Sequence, residues 1–100
     1  FDVAVDLRRA SPTYGKWCGA TLTAEGGEQL FVPRGFAHGY CTLESNSEVV
    51  YKVDDIYAPD CDAGLIWNDR TLAIEWPAAD VIVSDKDARL PGFAEFKSDF

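Results

Sequence analysis

Apolar and polar residues alternate from the first position. In "FDVAVDLR", Phe1, Val3, Val5 and Leu7 fall on one face and Asp2, Asp6 and Arg8 on the other. A period of two with one apolar face predicts a half-buried strand. "SPTYG" then turns the chain through Pro12 and Gly15. "KWCGATLTA" predicts a second strand, "EGGEQ" a Gly-Gly hairpin connection, and "QLFV" a third strand stopped by Pro33 and turned through Gly35. "AHGYCTLES" and "SEVVYKVDD" supply the fourth and fifth strands, and "LIW" and "LAIEW" are short strands on either side of "NDRT". After Pro77 the pattern weakens to one last strand and an irregular tail. Ser84 followed by Asp87 marks the capping box of a helical turn that Pro91 ends. No long segment keeps a helical period. Short strands punctuated by turns predict an all-β antiparallel sandwich or barrel. Because alternation is already under way at Phe1, the sequence reads as the later part of a longer chain.

Composition narrows this picture. One hundred residues make a single domain, and 47% hydrophobic content makes it globular. No apolar run approaches the roughly 18 residues that a membrane span needs. The three cysteines, Cys18, Cys41 and Cys61, form neither a CxxC pair nor a framework of short loops. Free thiols, a cytoplasmic setting and no metal are the expectation. A net charge of −8 with no basic stripe argues against a nucleic-acid partner.

Candidate chemistry is sparse. His38, the only histidine, lies two residues before Tyr40, so the two side chains share a strand face. They either line a pocket or are ordinary hydrogen-bonded structural residues. Tyr51 sits in "VVYKV", where Val49, Tyr51 and Val53 are expected to face the interior. It is either a core tyrosine or, since a phenol is protonated at neutral pH, a proton donor. "DDIYAPDCDAG" clusters four aspartates without the glycine and glutamate spacing of a calcium loop, and reads as a solvated acidic loop. "SDKD" by itself is a surface charge cluster.

Taken together and in order, "FDVAVDLRRASPTYGKW", "LTAEGGEQLFVPRGFAHGY", "VVYKVDDIYAP", "WNDRTLAIEWP" and "SDKDARLP" resemble the dTDP-4-dehydrorhamnose 3,5-epimerase family from Phe1 to about Pro91. The resemblance implies a cupin-like jelly-roll barrel lacking its N-terminal strands, a homodimer, and no cofactor or active-site metal. The substrate it implies is a dTDP-linked 4-keto-6-deoxyhexose, inverted at C3 and C5 through enolates on the way to dTDP-L-rhamnose and polysaccharide. Both carbons flank the ketone, so a base on one face and an acid on the other suffice. Residue by residue, Tyr51 matches the acid and Asp87 the carboxylate that orients the base. His38, Asp62 and Lys86 match substrate contacts, and Tyr57 matches the aromatic that stacks on thymine. The family's base histidine and most of its diphosphate-binding cations have no match among these residues. A related 3-epimerase or ketoisomerase, or a non-catalytic binding or dimerisation module of the same fold, stays open as an alternative.

Overall fold

The computed structural model describes all residues, Phe1–Phe100. Its organising element is β1 (Asp2–Asp6), which pairs antiparallel with β2 (Trp17–Ala20) on one side and β3 (Phe36–Tyr40) on the other. The register sets Val3 opposite Gly19 and Gly39, and Val5 opposite Trp17 and Ala37. Val3, Val5, Leu7 and Leu72 form the core, with Phe1, Trp17, Trp76, Phe93 and Phe96 packed around it. The alternation in "FDVAVDLR" therefore decides which face is covered. Each buried valine or leucine contributes about 1.5–3 kcal/mol of hydrophobic stabilisation.

Two connections explain why these strands meet. Gly15 adopts φ +78° and Gly35 φ +88°, the left-handed region that side chains other than glycine rarely enter. The Gly15 amide donates to the Asp6 carbonyl, and the Leu7 amide donates to the Gly35 carbonyl. Each turn is thereby pinned to the end of β1. The Trp76 ring lies 3.5 Å from where a Cβ at position 39 would be, an ordinary van der Waals distance, so the indole packs against β3.

The polar face of β1 also departs from simple alternation. Asp6 is 1% exposed although the pattern turns it away from the core. Its carboxylate accepts from the Arg8 amide, Arg8 Nε and Nη2, Ser11 Oγ and Thr13 Oγ1 at 2.5–2.9 Å. Five donors supplied by one tight turn replace the water that burial removes. Arg8 completes the corner by lying over the Phe36 ring, 4.8 Å from its centroid.

Several expected strands are absent. "QLFV", "SEVVYKVDD", "LIW" and "LAIEW" take no ladder partner, and the second and fourth expected strands end at Ala20 and Tyr40. Val49, Tyr51 and Val53 do not face an interior, being 41%, 69% and 73% exposed. A strand is stabilised by cross-strand neighbours rather than by its own alternation, and this segment has none in the described structure. "LAIEW" fails for a local reason as well. Ala73 is left-handed (φ 51°), and Asp69 Oδ1 accepts the Leu72 amide, so the chain turns where a strand would have to run straight. "EGGEQ" forms a turn, but no paired strands flank it. The helical turn is where the capping box put it: α1 (Asp85–Ala88) starts at Ser84, whose hydroxyl accepts from the Asp87 amide. A single 3-10 turn spans Pro59–Cys61.

The tail is irregular, as expected, but it is not loose. Ser98 is buried and its hydroxyl donates to the Leu7 carbonyl, while Arg9 donates its amide to the Phe100 carbonyl. No helix is long and apolar enough to cross a membrane. Cys18, Cys41 and Cys61 are all free thiols.

Candidate functional site

β3 is an edge strand, and a groove of about 520 Å³ runs beside it. All five consecutive residues Phe36–Tyr40 line this groove. Since neighbouring strand residues point to opposite faces, a cavity touching all five lies along the strand's edge. The opposite wall comes from Asp62–Trp67 and from Val83, Lys86, Asp87 and Leu90 around α1, over an apolar floor that includes Val3, Val5, Leu72 and Trp76.

Four of the six residues singled out in the sequence meet here. His38 enters from β3, Asp62 from the end of the 3-10 turn, and Lys86 and Asp87 from α1. Sequence separation among them reaches from position 38 to 87, so only the fold assembles them. Tyr51 and Tyr57 are not among the lining residues; they are 69% and 88% exposed on the intervening segment.

Two of the charges in the groove are paired. Lys86 Nζ donates to Asp62 Oδ2 at 2.6 Å across the groove wall. That hydrogen bond, reinforced by the Asp62 charge, raises the Lys86 pKa above the ordinary lysine value against a partial desolvation that pushes it down, with a smaller addition from the Asp87 charge. Lys86 is therefore a fixed cation facing two carboxylates. Elsewhere in the acidic loop Asp54 pairs with Arg34 at 3.0 Å, on the exposed surface. The four aspartates are solvated, and no cluster of three or more His, Cys, Asp or Glu side chains is arranged to hold a metal.

His38 has a partner that sequence inspection did not single out. Its Nε2 lies 2.5 Å from Asp2 Oδ1 on the neighbouring strand. The Tyr40 ring stands beside it, centroids 6.1 Å apart. The pair on one strand face was legible from i, i+2 spacing, but the aspartate is 36 residues away and required the register of β1 on β3.

Asp69 was likewise not singled out. It accepts the Leu72 amide through Oδ1 and the Phe93 amide through Oδ2, tying the "WNDRT" turn to the tail. Its carboxyl is held below the usual range by these amides and that of Thr71, against burial, which pushes the other way. The role is architectural: it seats Leu72 in the core beneath the groove.

Comparison with known proteins matches the chain to a family. The model of dTDP-4-dehydrorhamnose 3,5-epimerase matches residues 1–95. A Shigella flexneri dTDP-4-dehydrorhamnose 3,5-epimerase is 49% identical over 87 residues, covering 87% of this chain and 48% of the relative. The Pseudomonas aeruginosa enzyme is 47% identical, covering 95% of this chain and 53% of its own length. Among solved structures, the Bacillus anthracis enzyme with TDP and PPi bound superposes with a TM-score of 0.82 at 49% identity, over 92% of this chain and 53% of that one. A Legionella pneumophila dTDP-6-deoxy-D-glucose-3,5-epimerase in complex with dTDP-4-keto-L-rhamnose superposes with a TM-score of 0.81 at 34% identity, covering 97% of this chain and 52% of that one. The chain thus spans about half the length of the relatives it matches, and its fold is the all-β, cupin-like fold of those epimerases. With nearly every residue from Phe1 to Glu95 inside the match, the chain belongs to the dTDP-4-dehydrorhamnose 3,5-epimerase family.

Proposed function

We propose that this chain contributes the acid-bearing and nucleotide-binding part of an enzyme that converts dTDP-4-dehydro-6-deoxy-D-glucose to dTDP-4-dehydro-L-rhamnose. The observation that carries the reading is the convergence of His38, Asp62, Lys86 and Asp87 on one groove, in a chain whose family is that epimerase. The groove is long enough to run the length of β3 and pairs an apolar floor with polar rims, which suits a sugar nucleotide.

The chemistry follows from the substrate. C3 and C5 both adjoin the C4 ketone, so loss of either proton leaves an enolate that the carbonyl oxygen stabilises. Reprotonation from the opposite face inverts the centre. In this reading Tyr51 delivers that proton, and Asp87 orients the histidine base and stabilises it as an imidazolium. His38, the chain's only histidine, keeps its substrate-contact role in this reading and is not the base. Lys86, His38 and Asp62 hold the ligand's oxygens, and Tyr57 stacks on thymine. The exposed Tyr51 and Tyr57 then have to fold toward the groove's rim when the ligand and the rest of the enzyme are present. Homodimerisation belongs to the same reading: Val50, Val53 and Ile56, each more than 70% exposed, are an apolar surface that an assembly would cover.

Calorimetry with dTDP tests the nucleotide assignment on this chain directly. Saturable binding is expected, and Tyr57→Ala should weaken it about ten- to a hundredfold, the loss of one stacking contact. Unchanged affinity in the variant would remove Tyr57 from the site. Absence of dTDP binding to the unsubstituted chain would sink the nucleotide-site reading. In the polypeptide that also carries the base, deuterium wash-in at C3 and C5 distinguishes an epimerase from a non-catalytic module, and wash-in at C3 alone assigns a 3-epimerase.

A further inference from the structure

We propose that Asp69 is the positioning residue of the arm made by α1 and residues 89–93: by holding the Phe93 amide it fixes where Lys86 and Asp87 stand in the groove. The inference rests on the sugar-nucleotide reading for what those two side chains do, but not for how they are held.

The wall opposite β3 belongs to two stretches, 62–69 and 86–93, that lie side by side and run in the same direction. Lys86 meets Asp62, Leu90 meets Gly64, Pro91 meets Ile66 and Phe93 meets Asp69, so the partners advance together along both. Leu90 Cδ1 lies 3.0 Å from where a Cβ at Gly64 would be, and the Ile66 amide donates to the Pro91 carbonyl at 2.9 Å. The stretches are not paired as strands, so discrete contacts rather than a ladder set their alignment.

The two end contacts differ in kind. Lys86 and Asp62 are exposed on both sides, where water competes and salt screens. At the other end the Asp69 carboxylate is partly buried and accepts the Leu72 amide through Oδ1 at 2.9 Å and the Phe93 amide through Oδ2 at 2.8 Å. Hydrogen bonds to an ionised acceptor are the stronger class. Seating Leu72 uses only one of the two oxygens; the other reaches 24 residues along the chain. From Phe93 back to α1 the link is short and braced. The Ala88, Arg89 and Leu90 amides donate to the Ser84, Lys86 and Asp87 carbonyls in turn. The Phe93 ring is seated separately, 5.2 Å from the Tyr14 ring and against Gly15, so the tail stays docked if the amide is released. Lys86, Asp87 and Leu90 line the groove and Asp69 does not. Asp69 therefore acts on the groove through the arm.

Amide hydrogen exchange tests the clamp without any ligand. In the unsubstituted chain the Ile66 and Phe93 amides should be protected, and free exchange at both overturns the proposal with no variant needed. Asp69→Asn has one acceptor oxygen in place of two, so the Leu72 and Phe93 amides can no longer both be satisfied. The nearer Leu72 amide should keep it. Ile66, Leu90 and Phe93 should then exchange at least about tenfold faster, while the Asp6 and Leu7 amides of the β1 end keep their rates. Unchanged protection at Ile66 and Phe93, or equal acceleration at Asp6 and Leu7, would overturn the positioning role.

A second arm uses the polypeptide that also carries the base. Asp69→Asn should lower kcat about ten- to a hundredfold, the scale of a misplacement of about 1 Å transmitted from outside the site. The acid limb of the kcat/KM profile should move to lower pH, as it should in Asp87→Asn, because a misplaced carboxylate stabilises the imidazolium less. The double variant should be no slower than Asp87→Asn alone. An unmoved acid limb or additive losses would overturn action through Asp87. If Asp87→Asn itself keeps the unsubstituted rate, the catalytic reading of Asp87 fails, and the exchange result still decides whether Asp69 sets the arm.

Discussion

"FDVAVDLR" and "SEVVYKVDD" carry nearly the same alternation, yet one is the centre of the molecule and the other lies open on its surface. Val3 and Val5 are 1% and 5% exposed; Val50 and Val53 are 86% and 73% exposed. The difference lies in the partners. β1 has a strand on each side, a covering layer from Leu72, Trp76, Phe93 and Phe96, and a turn at Asp6 that satisfies a buried carboxylate. Residues 47–55 are joined to a distant part of the chain by the Arg34–Asp54 pair, which is exposed on both sides. Alternation states a capacity to be half-buried. Whether it is used depends on what the rest of the assembly brings to that face.

The largest expected effect breaks this comparison most directly. Val3→Asp puts an unpaired charge into the core and should cost about 3–5 kcal/mol or more, enough to abolish the cooperative melt of a small domain. Val53→Asp, the same chemistry on the other segment, should change stability by no more than about 0.5 kcal/mol. Paired thermal melts followed by circular dichroism measure both. Equal losses would mean that the second segment is buried in solution after all.

The next effect is functional and belongs to the open region. In the complete enzyme, Tyr51→Phe should lower net inversion at least about 10²-fold while solvent exchange at C3 and C5 persists. On this chain the same substitution should leave the melting temperature unchanged, since the hydroxyl is exposed and has no assigned partner to lose. A wild-type inversion rate would take Tyr51 out of the mechanism.

A smaller effect reads the closed region through pH. The Arg8 guanidinium beside Asp6, helped by Ser11 and Thr13, holds the carboxyl well below the usual carboxylate range, against the opposing push of burial. The folded state thus prefers the ionised form. The stabilisation is complete above the unfolded value of about 3.9 and is lost as pH falls from there through the depressed folded value. Asp6→Asn should lower the melting temperature at pH 7 and flatten its decline below about pH 4. A variant whose acid limb overlays that of the unsubstituted chain would place the acid sensitivity elsewhere.

The smallest expected effect is at the groove. Lys86 and Asp62 are 70% and 54% exposed, so breaking their pair with Asp62→Ala should cost less than about 1 kcal/mol, and less again in high salt. A salt-insensitive loss larger than that would show that the pair clamps the groove wall rather than decorating it.

The sequence by itself determined a good deal. Local rules sufficed for β1 and its buried face, for the turns at Gly15 and Gly35, and for the Ser84 cap of α1, because each depends on neighbours a few residues away. The order of motifs from "FDVAVD" to "SDKD" was enough to name the family. Tertiary structure decided the rest. It brought Asp62, Lys86 and Asp87 to the edge of β3, paired Lys86 with Asp62, and set Asp2 against His38 through a two-strand register. It also left "VVYKV" unpaired, turned "LAIEW" at a left-handed Ala73, and docked the tail on Leu7 through Ser98. All of these depend on contacts between residues distant in sequence. A pattern of period two records which residues could share a face, but contains no term for the partner that makes them do so.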